Sequence, residues 1–135
     1  QVIETRPDIL SHNLETVRRL SPQVRSVADY DTSLKVIRQI ADNGLKAKSG
    51  IMVGLGETTE EVEETMDDLL QNGCQILTIG QYLQPTAKHY PVAEYIHPDQ
   101  FKRFKEIGEA KGFDIVESGP LVRSSYHAEK HLRKQ

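Results

Sequence analysis

The chain has one cysteine, Cys74, in 135 residues. An internal disulfide is therefore excluded, and with it the stapled scaffold of a small secreted domain. A reducing compartment, the cytoplasm, is the expected setting. No apolar run approaches the roughly 20 residues that a membrane helix needs. The first residues, QVIETRPDIL, lack the basic-then-apolar layout of a signal peptide. Neither sign of charge dominates: 17 Lys and Arg stand against 20 Asp and Glu, for a formal net charge of -3. Such a balance leaves no electrostatic footprint for nucleic acid or anionic lipid, so neither is expected as a partner. The one basic cluster, KRFK at 102–105, alternates with Phe101 and Phe104 and reads as the wet side of a helix. There is no internal repeat and no low-complexity segment. The chain opens on Gln1 rather than Met, so residues upstream are expected.

What is present is ordinary for a globular protein: 37% hydrophobic and 27% charged residues. A chain of this length can fold as one domain that buries roughly two thirds of its unfolded surface. The apolar pattern predicts a short strand over 8–12, then a short helix capped by Asn13 with Leu14, Val17 and Leu20 on its inner side. A loop follows over 21–30. A clear amphipathic helix comes next, with Leu34, Ile37, Ile40 and Ala41 on one face, Asp31 or Thr32 as its cap and Gly44 at its end. LKAKSGIMVG is a strand. TTEEVEETMDDLLQNG is a helix whose Thr58 and Glu61 have capping-box spacing. CQILTIG is a strand apolar on both faces. A long connection leads to a third helix beginning near Pro98, with Phe101, Phe104 and Ile107 facing inward and Gly112 closing it. FDIVES is a last strand, and the C-terminal residues end in a short helix.

Strands that alternate with helices and are apolar on both faces predict a parallel sheet covered by helices. About three βα units are too few to close a barrel, which takes roughly 250 residues. The fold class is therefore α/β, as a small open sheet or as part of a larger barrel.

Polar groups gather just beyond the strand C-termini: His12, Asn13 and Glu15, then Gly54 to Glu57, then Gln81, Tyr82 and Gln84. Parallel α/β folds build their sites at that edge. In SGIMVGLGE, glycines sit inside and just beyond a strand, where they cost stability unless something approaches the backbone closely. A flat ligand such as an adenine ring would do so, and so would a tight strand-to-helix turn. The spacing is not that of a dinucleotide-binding fingerprint. His127 and His131 are four residues apart on a predicted helix but have no evident third ligand for zinc. Cys74 reads as a small core residue.

The blocks HNLETV, VRSVADYDTSL, KSGIMVGLGE, LTIGQYLQPTAKHYPV, YIHPDQF and GPLVRSSYHAEKH, in this order, resemble the lipoyl synthases, which are radical S-adenosylmethionine (SAM) enzymes. The resemblance covers only the family's C-terminal half. The CxxxCxxC motif for the SAM-binding 4Fe–4S cluster and the three-cysteine motif for a second, auxiliary 4Fe–4S cluster have no counterpart here, since Cys74 is the only thiol. The resemblance implies the last strands and helices of a partial (β/α)6 TIM-like barrel over 1–118, followed by a C-terminal extension over 119–135. It implies SAM and two 4Fe–4S clusters in the full-length enzyme, and no cluster on this chain alone. The implied reaction inserts two sulfur atoms, at C6 and C8, into an octanoyl chain carried on a lysine. The carriers are lipoyl domains of 2-oxoacid dehydrogenases or the glycine cleavage H protein. The reduced cluster cleaves SAM to a 5′-deoxyadenosyl radical, which abstracts hydrogen from carbons that no acid or base side chain could deprotonate, and the auxiliary cluster gives up the sulfur.

Residue by residue, the resemblance gives Asn13 and Glu15 to the ribose and amino-acid parts of SAM, where an amide and a carboxylate suit hydroxyls and an ammonium group. Capping of a following helix would explain the same pair. Arg25 would meet a carboxylate, or lie on the surface. Gly50, Met52, Gly54 and Glu57 match the adenine-side motif GxIxGxxE, with Met in place of Ile, although Glu57 could equally neutralise the next helix N-terminus. Gln81, Tyr82, Gln84 and Arg123 would line the substrate cavity. Ser124, in RSSY, would ligate one iron of the auxiliary cluster, a harder ligand than thiolate, and a helix cap is its other reading. Two other functions fit parts of the pattern. One is a different radical SAM sulfur-inserting enzyme, such as a biotin synthase relative. The other is a free-standing nucleotide-binding α/β module without catalysis.

Overall fold

The computed structural model describes residues 8–24 and 29–122. Four strands form one sheet: β1 (Ile9–Ser11), β2 (Lys46–Val53), β3 (Cys74–Gln81) and β4 (Ile115–Ser118). A 3₁₀ turn (Arg18–Leu20) runs into α1 (Ser21–Val24). The longer helices are α2 (Tyr30–Asp42), α3 (Thr59–Gln71) and α4 (Pro98–Lys111).

The helix ends follow from local chemistry. Asp29 caps α2 by accepting the Thr32 amide at 2.7 Å. The cap thus lies two residues before Asp31, because Tyr30 and Asp31 already belong to the first turn. The capping box of α3 forms as its spacing predicts: Glu61 N donates to Thr58 Oγ1 at 3.1 Å, and Thr58 N donates to Glu61 Oε1 at 2.9 Å. Thr58→Ala is expected to cost about 1 kcal/mol in urea denaturation. Pro98 opens α4, where its missing N–H is no loss, and Gly112 ends it at φ 123.

The sheet order is β1-β2-β3-β4, and every pair is parallel. Each strand lies beside the next and the order never reverses. Right-handed crossovers in one direction put α2, α3 and α4 on the same face. A doubly wound fold would reverse order midway and cover both faces. The sheet is therefore a section of barrel wall, a partial TIM-like α/β barrel. Ala47, Ser49, Ile51 and Val53, with Leu77, Ile79 and Val116, are wholly or almost wholly buried. They share one face by alternation and register. Against them pack Leu34, Ile37 and Ile40 of α2, Val62, Met66 and Leu69 of α3, and Phe101 and Phe104 of α4, in one continuous core. The opposite face carries Lys48, Gly50 and Met52 of β2 and Thr78 and Gly80 of β3. No described helix is long and apolar enough to cross a membrane.

The segment after β1 departs from expectation. Leu14, Val17 and Leu20 are buried, but no helix begins at Asn13; the 3₁₀ turn starts only at Arg18. The apolar spacing reported burial correctly and helix incorrectly. The backbone of residues 12–15 is used instead to extend the sheet.

Candidate functional site

Beyond Ser11 the chain keeps pairing with β2. His12 N donates to Lys48 O and Glu15 N to Gly50 O, and Met52 N donates to Glu15 O, all at 2.9 Å. Ser11 pairs with Lys48, whereas Glu15 bridges to Ile51. Four steps on one strand thus match three on the other, which is a one-residue bulge. Glu15 absorbs it at φ 77, and it is the only non-glycine with positive φ among the described residues. That conformation is strained for an L-residue with a long side chain. Leu14 is wholly buried, and its amide donates to the buried Ser49 hydroxyl at 3.1 Å. His12 reaches Ser33 of α2 at 3.2 Å. Asn13 and Glu15 flank Leu14, both half-buried. The bulge thus seats Glu15 directly beside Gly50 and Met52.

The loop after β2 is built from backbone groups. The Glu57 carboxylate accepts from Gly54 N and Leu55 N, both at 3.0 Å, closing the turn. Gly54 and Gly56 take φ 98 and 106. Arg19 reaches the same loop, donating to Gly56 O at 2.9 Å and to both oxygens of Glu61 at 2.7 and 3.0 Å. The Arg19 hydrogen bond, then the Thr58 amide, hold the Glu61 carboxyl below the usual carboxylate range, while Glu61 raises the Arg19 guanidinium. Because the folded-state value is the lower one, this stabilisation is complete above the ordinary carboxylate range and is lost as pH falls through the Glu61 value. The melting-temperature gap between parent and Glu61→Gln is therefore expected to narrow on acidification, measured by a thermal series from neutral to acid pH. A gap that stays constant would mean that the charge is not used.

After β3 the chain doubles back, and an irregular strap over 91–97 crosses the Gly54 turn. Tyr82 N still pairs with Val53 O at 2.8 Å. Gln81 is buried and uses both ends of its amide on backbone: Nε2 donates to Tyr82 O at 3.0 Å and to Glu94 O at 2.9 Å, and Oε1 accepts from Ile96 N at 2.8 Å. Gly54 O in turn accepts from Ala93 N at 2.8 Å and Glu94 N at 3.2 Å. The Tyr82 hydroxyl donates to Tyr90 O, and burial raises its pKa. Gln84 Nε2 donates to His89 O at 3.0 Å on the exposed turn.

One strand edge therefore gathers Asn13, Glu15, Gly50, Met52, Gly54, Glu57, Gln81 and Tyr82, while Gln84 lies farther out. Arg25, Arg123 and Ser124 fall outside the described residues, as do His127 and His131. The 119–135 extension starts still bonded to the sheet, with Gly119 N donating to Ile79 O at 3.0 Å. Sequence reasoning missed Arg19, whose partners are 37 and 42 residues away. It also missed Gly80, which pairs with Met52 on the face opposite the helices. A glycine at the end of an apolar strand was the available signal for Gly80. With Gly50 it leaves two Cβ-free positions on that face, which suits a flat ring against backbone. The half-buried amide of Asn13 and carboxylate of Glu15 are suitable partners for hydroxyl and ammonium groups.

The described residues give a metal centre no such support. Among the described residues no group of three His, Cys, Asp or Glu could hold a metal ion. Cys74 is buried, and burial pushes its thiol up to about 12, away from the thiolate that a cluster needs.

The family model described as the Radical SAM superfamily matches residues 1–69. The chain is 74% identical over 132 residues to the lipoyl synthase of Phocaeicola vulgatus, an alignment covering 98% of this chain and 46% of that protein. It is 74% identical over 132 residues to the lipoyl synthase of Bacteroides thetaiotaomicron, covering 98% of this chain and 47% of that protein. For the lipoyl synthase of Treponema denticola the figures are 65% over 131 residues, 97% and 45%. The chain spans about half the length of the curated relatives it matches.

Proposed function

The chain belongs to the radical SAM superfamily, and on that footing we propose that it is the part of a lipoyl synthase that holds SAM against one side of the barrel. The observation that carries this reading is the 74% identity to lipoyl synthases over nearly the whole chain. The proposed reaction is the insertion of two sulfur atoms, at C6 and C8, into an octanoyl group on a lipoyl carrier domain. The carriers are those of 2-oxoacid dehydrogenases or the glycine cleavage H protein, and the compartment is the cytoplasm. SAM, when bound, supplies the adenosyl group that removes hydrogen from unactivated carbon. This chain's share is binding and orientation. Asn13 and Glu15 receive the ribose hydroxyls and ammonium group of SAM, and the Gly50–Met52 backbone supports the adenine. Gly54 and Glu57 shape the turn beside it. Arg25 meets the SAM carboxylate. Tyr82, Gln84 and Arg123 border the acyl chain, and Ser124 serves the auxiliary cluster. The cluster cysteines are assigned to the part of the protein beyond this chain.

The test uses the full-length protein that carries this chain, with clusters reconstituted under anaerobic conditions. Given SAM, a reductant and an octanoyl-lysine peptide, it should yield the lipoyl peptide by mass spectrometry. SAM cleavage with no sulfur on the peptide would sink the lipoyl synthase reading and leave superfamily membership intact.

A further inference from the structure

A buried glutamine that spends its whole amide on backbone is an unusual choice for the end of a strand. Gln81 is 6% exposed, and its two donor bonds and one acceptor bond all go to main chain. Two of the three reach the strap, 13 and 15 residues farther along. The facing residue has no side chain to obstruct it: a Cβ on Gly54 would stand 2.3 Å from Gln81 Nε2 and 2.4 Å from Glu94 O. The Gly54 carbonyl closes the ring by accepting from Ala93 N and Glu94 N. Gly54 N is at the same time held by Glu57. The turn after β2 and the strap are thus bolted to each other at one residue, and Gln81 is the bolt.

We propose that Gln81 is a positioning residue: it locks the strap at Glu94 and Ile96 onto the Gly54 turn and so sets the shape of the SAM side of the site without touching SAM. Only the identity of the ligand rests on the function proposed above. A neutral amide is needed because the lock must donate to carbonyls and accept from an N–H in the same plane. A carboxylate can do only the second. Gln81→Glu keeps size and shape but turns an anion on Tyr82 O and Glu94 O. A protonated carboxyl restores one donor, and burial beside two carbonyls favours that protonated form. The lock in Gln81→Glu should therefore open at high pH and close at low pH.

The experiment measures hydrogen-exchange protection of the Ala93 and Glu94 amides, and the Kd for SAM, in the cluster-loaded full-length protein. At pH 8, Gln81→Glu is expected to lower both protection factors about tenfold or more and to weaken SAM about tenfold, the scale of losing a buried hydrogen bond. At pH 5.5 both should move back toward the parent, whereas Gln81→Ala should be impaired at both values. Three results would overturn the proposal. Weak SAM binding with unchanged protection would mean that Gln81 meets the ligand itself. Lost protection with unchanged Kd would leave a purely structural clamp. Effects in Gln81→Glu that ignore pH would refute the donor role. A parent protein that binds no SAM would instead sink the functional reading, and the exchange data would still decide the lock.

Discussion

Gly54→Ala is expected to destabilise the protein by about 3 kcal/mol, more than Gly56→Ala, whose added methyl would meet nothing nearer than Ala93 Cβ at 3.9 Å. Two costs combine. The first is conformational: Gly54 sits at φ 98, where an L-residue is strained by about 1–2 kcal/mol. The second is collision: the new methyl would lie 2.3 Å from Gln81 Nε2 and 2.4 Å from Glu94 O. Glu94 O is backbone and cannot swing aside, and the Gln81 amide is held by three bonds. The strap must lift, which breaks the Ala93 and Glu94 bonds to Gly54 O and part of the Gln81 set. Gly112→Ala is the control, because Gly112 has φ 123 but nothing within 4 Å of its added Cβ. It should cost about 1 kcal/mol, from strain alone. The two are compared by urea denaturation. A Gly54→Ala loss no larger than that of Gly112→Ala would mean that the strap is not seated on Gly54.

The same residue shows how far a sequence can be read. The capping box of α3 and the inward faces of α2 and α4 were legible because they rest on spacings of three and four residues. The parallel sheet was legible because strands alternate with helices and β3, CQILTIG, is apolar on both faces. Gly54 could be singled out as a glycine beyond a strand, but its reason could not. Two alternatives, a flat ligand such as an adenine ring or a tight strand-to-helix turn, fitted the same letters, and the structure gives Gly54 a further neighbour, the strap. The resemblance made Gln81 a cavity-lining residue, and its place at a strand end agreed, yet its amide is taken up by backbone 13 and 15 residues away that no periodicity encodes. The helix expected at Asn13 failed for the same reason. Leu14, Val17 and Leu20 share a helical spacing, but pairing with β2, more than 30 residues downstream, captured the backbone first. Local rules name the elements; long-range hydrogen bonds decide where a chain bulges, caps or doubles back.

Glu15→Gly should move stability and ligand binding in opposite directions. Glu15 holds φ 77 at the bulge, bonded through its own N–H and C=O to Gly50 and Met52. Removing Cβ relieves about 1–2 kcal/mol of strain, offset by about 0.5–1 kcal/mol for the freer unfolded glycine chain. The expected net change is a gain of about 0.5 kcal/mol. If the carboxylate receives the SAM ammonium group, its loss removes a charge-assisted hydrogen bond of about 1.5–3 kcal/mol, a weakening of roughly 10- to 100-fold. Glu15→Ala separates the two effects, because it discards the carboxylate and keeps the strained Cβ. Both variants should bind SAM equally poorly, and the glycine variant should be the more stable of the two by about 0.5 kcal/mol or more. Glu15→Gln should lie between them and the parent in affinity, since it keeps an acceptor and loses the charge. The backbone of Glu15 joins the sheet, but that pairing needs no carboxylate, and strain kept at a long polar side chain where glycine would serve is a reason to look for a ligand there. Unchanged SAM affinity in all three variants would make the bulge a structural feature only.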